Sequence, residues 1–510
     1  MDLYPGGYPA RFGAFAGGIV SGETTDPSSD WHGEGNLRLF DAGAMIEGGF
    51  DDGRGTVLLG GRYSYTAAVL SLIAGDVALD YRDYQARTSY DITPKDRVSL
   101  LGFGSYDLLG ERKNGVLDIL FGSEFYRLDM RYDHAFATDS NVRFAVTLGY
   151  DQTRVAQQRN ADDKSISSRV ELRHRLSKDA VYRGGADVAL DSYGPGELMY
   201  QDPDDPDAKK RDALFPTRRD MAVGGWSDFV LDLGRRVELT PGLRVTLFTS
   251  GDASAVGIDP RIAARFKITD KVRIIHAYGI AHQPPSFLLP VPGLMPGTLD
   301  EGLQESLQTS AGVEVDLPEE TKASATLFYN VFLNMTDTLG TSTGEIDVAT
   351  DERSQGSAAG LELFVHRPLT KRLGGFVSYT LSRSVRSLGR ERLPSTFDRT
   401  HVANAAVAYN LGRNWRAGTR LVFYTGTPKF TTANGLVLGP RPSTPERGSW
   451  FYRIDLRAEK RWKMGERSWL SLVFEVLNAT LRKETFASSS GSDTEIGPVT
   501  IPSIGLEGGF

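Results

Sequence analysis

The 510-residue sequence contains no cysteine, and it carries no marked excess of one charge. The first absence excludes disulfides, thiolate metal sites and cysteine nucleophiles together. The formal net charge of -7 leaves no basic stripe of the kind that a phosphate backbone requires. Nucleic acid is therefore not expected as a partner.

Long apolar segments that could form a membrane-spanning helix are missing too. The longest uncharged stretch, residues 274–299, is interrupted by prolines that would break a helix. These prolines are Pro284, Pro285, Pro290, Pro292 and Pro296. The first residues contain neither a basic region nor an apolar segment, so no signal peptide is expected within this sequence.

What the sequence does have is alternation of apolar with polar or small residues, which is typical of strands with one apolar face. In residues 143–151 the apolar positions are Phe144, Val146, Leu148 and Tyr150. The same alternation recurs at residues 322–331, 375–382, 417–425 and 471–478. The mean hydropathy of -0.28 does not exclude a membrane protein, because only alternate residues of a barrel strand face lipid. No convincing amphipathic helix is present.

Groups of turn-forming residues separate the alternating runs and recur roughly every 45 residues. They are residues 51–53, 93–96, 138–141, 177–179, 240–242, 269–271, 318–320, 370–372, 412–414 and 465–467. Between them lie long polar or proline-rich segments. These are residues 191–220, 283–309, 334–357, 383–399, 426–449 and 483–495.

Short connections thus alternate with long ones, as periplasmic turns alternate with extracellular loops in outer-membrane barrels. If every short turn and both barrel ends are periplasmic, the sequence predicts an all-β fold, a large antiparallel transmembrane β-barrel of about 22 strands. Closure removes the sheet edge, whose unpaired amides lipid would not tolerate. The alternative, a soluble series of sandwiches or a propeller, would need shorter strands and evenly short loops.

Aromatic residues cluster near the ends of the alternating runs, where the interfacial girdles of a membrane barrel lie. The clusters are Tyr63 with Tyr65, Tyr81 with Tyr84, Phe423 with Tyr424, and Phe451 with Tyr452. Cross-strand packing in any sheet would also favour them.

The two ends of the sequence carry the most specific motifs. Residues 2–13 (DLYPGGYPARFG), followed by residues 17–20 (GGIV), resemble the end of the plug domain of TonB-dependent receptors of Gram-negative bacteria, just before the first barrel strand. The C-terminal Phe510 resembles the last residue of outer-membrane barrels, which the assembly machinery reads. Further motifs resemble a late hairpin and the penultimate strands: residues 397–401 (FDRTH), 424–428 (YTGTP), 452–457 (YRIDLR), 460–462 (KRW) and 474–478 (FEVLN).

The resemblance implies two parts, a C-terminal remnant of the plug over residues 1–30 and a transmembrane barrel over residues 31–510. The family's signal peptide, TonB box and most of the plug would precede Asp2. We therefore expect either a truncated gene model or a plugless descendant. In this family the loops and the plug capture a scarce ligand too large for porins, such as a metal chelate, cobalamin or an oligosaccharide.

The resemblance thus favours the barrel of an uptake receptor in the bacterial cell outer membrane. A plugless passive channel and a surface adhesin or scaffold remain open as alternatives. The expected partners are outer-membrane lipid, the assembly machinery through the strand ending at Phe510, and the TonB complex only if the missing plug is present. No cofactor is expected, and no ligand-binding residue is predicted, because specificity depends on variable loops.

No catalytic residue is predicted, and no enzymatic activity is expected. The metalloprotease, serine-hydrolase and phosphate-loop motifs are absent. Asp398 and His401 could form an acid–base pair at a strand mouth, but a family motif accounts for both residues and no nucleophile is nearby.

Metal ligands are not predicted either. His276 and His282 share one strand face and could bind a metal, although such histidines more often only line a cavity or pack against neighbouring side chains. The run of Asp202, Asp204, Asp205 and Asp207 could coordinate calcium, but its prolines and its lack of a turn glycine favour a solvated loop. In the plug remnant, Tyr8, Arg11 and Phe12 are candidates for lining the lumen, with no role assigned to them.

Overall fold

The computed structural model describes most of the chain. The residues outside the description are 1, 5, 67–76, 114–115, 156–158, 199–214, 286–291, 296, 337–352, 370–371, 389–390, 396, 430, 434–435, 439–445 and 487–493. One short helix can be described in full, the 3-10 turn Leu299–Glu301. No helix in the described part of the chain is long and apolar enough to cross a membrane.

Antiparallel strands form one closed barrel, in which each strand pairs with its neighbours along the chain. The 22 barrel strands are β1 His32–Leu37, β2 Asp41–Phe50, β3 Gly55–Ser64, β4 Val77–Thr93, β5 Asp96–Lys113, β6 Val116–Ala137, β7 Ser140–Val155, β8 Arg159–Ser177, β9 Ala180–Leu198, β10 Arg218–Leu233, β11 Val237–Ser250, β12 Ala253–Lys267, β13 Val272–Gln283, β14 Gln304–Asp316, β15 Lys322–Met335, β16 Ser354–Arg367, β17 Leu373–Leu388, β18 His401–Gly412, β19 Trp415–Tyr424, β20 Phe451–Lys463, β21 Trp469–Leu477 and β22 Ile501–Gly509. The predicted fold class and strand number are confirmed.

A few short strands are not counted among these 22. Glu391–Pro394 pairs with β17. Three further two-stranded pairs join Asp2–Tyr4 to Ile19–Ser21, Thr431–Ala433 to Leu436–Leu438, and Glu484–Phe486 to Thr494–Ile496.

The barrel closes between its first and last strands, where Leu506–Gly509 of β22 pairs with Glu34–Leu37 of β1. One residue further, the Phe510 amide donates to the Gly33 carbonyl at 3.0 Å, and the Gly33 amide donates to the Phe510 carbonyl at 3.2 Å. A Cβ on Gly33 would lie only 2.9 Å from the Phe510 ring. The C-terminal aromatic residue therefore packs directly on the closing seam.

Ten short connections lie at one end of the barrel, and all but one of the predicted turn groups coincide with them in position, although residues 370–371 lie outside the described residues. The prediction of a turn at residues 240–242 is wrong, because these residues lie inside β11. Asp228 pairs with Gly242 and Leu231 with Leu239, but no pair forms between them. Proline has no amide hydrogen to donate, so Pro241 fits a strand at this interruption. The actual turn follows β10 and includes Gly234, whose φ is 77°.

The connections at the opposite end include all the long segments that the sequence predicts. They range from residues 251–252, between β11 and β12, to residues 425–450, between β19 and β20. The strands extend into several of these segments, so that β9 continues to Leu198 and β17 to Leu388. Short connections at one end therefore alternate with connections of widely varying length at the other.

The two faces of the barrel differ sharply in chemistry. On β11 the outward Leu243, Val245 and Leu247 are exposed, whereas Arg244 and Thr246 between them are buried against the interior. Phe144 and Leu148 of β7 are exposed on the outer face in the same way. A continuous belt of exposed aliphatic residues suits lipid, and a polar interior suits a wet lumen.

Aromatic side chains form two rows across the strands, one level with the middle of β4 and β6 and one nearer the turns. Tyr84, Tyr126 and Tyr150 stack in sequence, each ring centre 6.3 Å from the next. Gly104 of β5 leaves the space they need, since a Cβ there would lie 2.6 Å from Tyr126. Towards the turns, Tyr132 stacks on Phe144 at 6.4 Å. The rows agree with two interfacial girdles.

Candidate functional site: the barrel lumen

The chain that precedes β1 runs through the interior of the barrel, where inward-facing amides of β13 and β14 hold its backbone. The Gly7 amide donates to Gln308 Oε1 at 2.9 Å, and Gln308 Nε2 donates to the Ala16 carbonyl at 3.0 Å. Gln283 Oε1 accepts from the Ala16 amide at 2.6 Å. Backbone groups that strand pairing leaves free are thus satisfied by side chains of the wall.

Arg261 of β12 makes several contacts with this segment, which together we call the Arg261 clasp. Its guanidinium donates to the carbonyls of Pro9 at 2.7 Å and Phe12 at 2.6 Å. It also lies 4.3 Å from the ring centre of Tyr8 and 3.1 Å from the Asp259 carboxylate. One buried cation therefore combines two carbonyl hydrogen bonds, a cation–π contact and an ion pair.

Tyr8 is the largest fully buried side chain of the segment. Its hydroxyl donates to the Phe15 carbonyl, which folds the segment back on itself. Burial raises the pKa of Tyr8 to about 12, because the phenolate would lose its hydration, and the nearby Arg261 opposes this only in part. Tyr8 therefore acts as a neutral anchor at physiological pH.

The later part of the segment is held by the other side of the wall. Arg87 of β4 donates to the Thr25 carbonyl at 2.6 Å and pairs with Glu47 at 2.6 Å. Glu47 in turn accepts from the Ser28 amide at 3.1 Å. Contacts on both sides thus fix the segment across the lumen.

Two cavities flank the segment inside the barrel. One has a volume of about 980 Å³ and lies between residues 21–27 and strands β4 to β8. The other, of about 1050 Å³, lies between residues 4–10 and strands β8 to β17. Their walls mix polar and apolar side chains, and their arginines are largely paired with carboxylates, as where Arg143 pairs with Asp133 at 2.7 Å.

The three candidates in the segment all reach the lumen. Arg11 and Phe12 line the smaller cavity, with the Arg11 guanidinium 4.7 Å from the centre of the Phe12 ring. Tyr8 contacts Arg261, as described above. Sequence reasoning missed the wall residues Arg261 and Gln308, whose signal is a polar residue at an inward position of a barrel strand.

A family profile described as "TonB dependent receptor-like, beta-barrel" matches residues 31–479 of the sequence. The chain belongs to this family. It is thus the barrel of a TonB-dependent receptor that takes up a large, scarce ligand. Members of the family are outer-membrane receptors and transporters rather than enzymes.

Solved structures of such receptors share the fold. The ferric-catecholate import receptor Fiu from E. coli K12 has 11% identity and a TM-score of 0.70, over 95% of this chain and 82% of its own. The FrpB iron transporter of Neisseria meningitidis has 13% identity and a TM-score of 0.72, over 100% of this chain and 86% of its own. The siderophore receptor PiuA of Acinetobacter baumannii has 12% identity and a TM-score of 0.71, over 98% of this chain and 84% of its own. No curated protein sequence matches this chain.

In this TonB-dependent receptor, Asp398 and His401 do not form an acid–base pair. Asp398 is buried and accepts from the Ser384 amide at 2.6 Å, and its other oxygen pairs with Arg447. His401 Nδ1 instead lies 2.8 Å from the Tyr379 hydroxyl. Asp398 therefore joins the connection before β18 to the one before β20.

The histidine pair is not brought together either. His276 and His282 are six residues apart on β13, which corresponds to roughly 20 Å along a strand. His282 Nδ1 lies 2.7 Å from Asp259, whereas His276 lines the larger cavity. In the part of the chain that the structure describes, no three His, Asp or Glu residues could hold a metal ion. The acidic run at residues 202–207 lies outside the described residues.

Proposed function

We propose that this TonB-dependent receptor carries a ferric chelate across the outer membrane. The end with the ten short turns faces the periplasm, and the long connections face the medium. Solved structures with the same fold are named for iron chelates, which supports this ligand over cobalamin or an oligosaccharide. The observation that carries the proposal is the segment fixed inside the lumen, because a passive pore would need an open passage.

Residues 1–30 act in this proposal as the C-terminal part of a plug, and residues 31–510 as the barrel. The hydrogen bonds at Gly7, Ala16, Thr25 and Ser28 support this division, since they end just before β1 begins at His32. The TonB complex would act on plug sequence that comes before this segment in the family. Pulling there would rearrange contacts such as the Arg261 clasp.

The remaining expectations follow from a receptor that binds and releases its ligand unchanged. The chain then has no catalytic residue, no cofactor and no resident metal. Its partners are outer-membrane lipid along the apolar belt and the assembly machinery at Phe510.

The packing of Phe510 on the closing seam supports a role in assembly. We expect Phe510→Ala to reduce the amount of heat-modifiable barrel in the outer membrane. Phe397→Ala, which changes a similarly exposed ring, should leave that amount unchanged.

Uptake of radioactive iron in the organism that carries the gene tests the function. Iron-starved cells are given ferric catecholate, ferric citrate or ferripyoverdine, with the gene intact or deleted and with TonB present or absent. We expect at least one chelate to accumulate only when the gene and TonB are both present. The proposal fails if deletion changes the uptake of none of them, and accumulation without TonB would indicate a passive channel.

A further inference from the structure

Four aspartates lie side by side on neighbouring strands of the lumen wall. Asp151 of β7 is directly opposite Asp163 of β8, and Asp191 of β9 is directly opposite Asp220 of β10. Asp163 is opposite Tyr193, two residues from Asp191, so these carboxylates are diagonal neighbours on one face. The register therefore assembles one continuous acidic cluster.

This cluster faces the lumen near the end that carries the long connections. Asp151 is opposite Phe125, a residue that lines the smaller lumen cavity. It is also close to the end of β7 at Val155, as Asp191 is to the end of β9 at Leu198. A ligand that enters from the medium would meet the cluster before it meets the segment clasped by Arg261.

Two arginines neutralise only the outer members. Arg127 binds both oxygens of Asp151, at 2.9 and 2.6 Å. Arg218 pairs with Asp220 at 2.9 Å and lies 4.2 Å from the centre of the Tyr193 ring. Among the described residues, no ion pair involves Asp163 or Asp191.

Asp163 is the most constrained of the four. It is only 8% exposed, and its Oδ1 atom is buried with no hydrogen-bond partner in the described part of the chain. A buried carboxylate oxygen without a donor is costly, and neighbouring carboxylates increase the cost. A positively charged donor would remove both penalties.

We propose that Asp163 and Asp191 bind an organic cationic group, an ammonium or guanidinium, on the ligand as it enters the lumen. The inference rests on the proposed uptake function and narrows its ligand to a chelate that carries such a group. An organic cation fits better than a metal ion, because the described residues offer no cluster of three metal-binding side chains. Charge-assisted hydrogen bonds to the two carboxylates would supply the recognition.

Calorimetric titration of the refolded chain in detergent with spermidine, a simple polyamine, tests the site. We expect Asp163→Asn and Asp191→Asn each to weaken binding by about tenfold or more, since each removes a charged acceptor. The control is Asp232→Asn, which removes an exposed carboxylate at the opposite end of β10. Heat-modifiable migration in gels verifies that every variant forms the barrel.

The site is refuted if the wild type does not bind spermidine or if the Asn variants bind it as well as the wild type does. The second result is also the one expected if Asp163 merely holds a proton. Displacement of spermidine by millimolar calcium at unchanged ionic strength would identify a metal site and contradict the organic cation. Failure of the uptake experiment with spermidine binding intact would refute iron uptake and leave the cation site standing.

Discussion

Arg261 and Tyr8 are 253 residues apart in the sequence, yet the guanidinium of one lies 4.3 Å from the ring centre of the other inside the barrel. The contact joins the wall to the segment that crosses the lumen. Both side chains are almost fully buried, so neither can exchange its partner for water without moving the segment.

Replacement of Arg261 by alanine should release the segment. Three contacts with the segment and the ion pair with Asp259 are lost. Asp259 then stays buried with His282 as its remaining partner, at a cost on the order of 3 kcal/mol. A spin label on Gly17→Cys reports the release, because Gly17 has open space around it and the chain has no other cysteine. We expect a mobile spectrum for Arg261→Ala and an immobile one for Arg265→Ala, whose side chain is half exposed and makes only a 3.9 Å ion pair. Equal spectra would contradict the clasp.

Gly7→Ala should loosen the same segment by a steric route. Gly7 has a φ of 60°, where an L side chain costs about 1–2 kcal/mol, and the new Cβ would lie 2.6 Å from that of Ala277. Gly22→Ala is the matched control, because nothing lies within 4 Å of its Cβ position. The melting temperature should fall for Gly7→Ala and stay unchanged for Gly22→Ala. A melting temperature lowered equally by both substitutions would show that the contact with Ala277 is not the cause.

The docking of the segment should weaken at high pH through Tyr8. Its pKa in the folded protein is about 12, against 10.0 for an ordinary tyrosine. The raised value means that protonated Tyr8 stabilises the docked state fully below pH 10, and that this contribution is lost as the pH rises through 12. The spin label at position 17 should become mobile in that window. Tyr8→Phe should remove this transition, and a transition that persists in the variant would assign it to another group.

Asp398 should stabilise the outer connections rather than catalyse a reaction. Asp398→Asn removes the charged partner of Arg447, whose Nη1 also donates to the Gly426 carbonyl at 3.2 Å. A hydrogen bond to a charged group contributes about 1.5–3 kcal/mol. We expect faster proteolysis within residues 425–450, with the exposed neighbour Glu446→Gln as the control. Unchanged proteolysis would show that Asp398 does not hold these connections together.

The barrel could be predicted because both features it requires, alternating apolar residues and turn-forming residues, are visible within short stretches of sequence. A lipid-facing strand must place apolar residues at every second position, as β7 does with Phe144 and Leu148, and turns need residues that tolerate unusual backbone angles. The error at residues 240–242 has the same local origin, because a Pro-Gly pair indicates a turn unless an interrupted strand pairing accommodates the proline.

The lumen contacts could not be predicted in this way. Nothing near Arg261 in the sequence indicates that its partners are Tyr8, Pro9 and Phe12, and nothing near Asp398 indicates Arg447. The inward polar residues signal a wet interior, but their partners depend on how the whole cylinder closes. The same holds for Asp163, whose neighbours come from two adjacent strands.

A disulfide between the segment and the wall tests the central claim, that residues 7–28 lie inside a closed barrel. A Cβ on Gly242 would lie 3.1 Å from that of Ala10, close to the spacing of a disulfide, and the chain has no native cysteine to compete. We predict that Ala10→Cys with Gly242→Cys crosslinks in outer membranes, whereas Ala10→Cys with Gly225→Cys, on the outer face, does not. No crosslink in the first pair, or equal crosslinking in both, would contradict the claim.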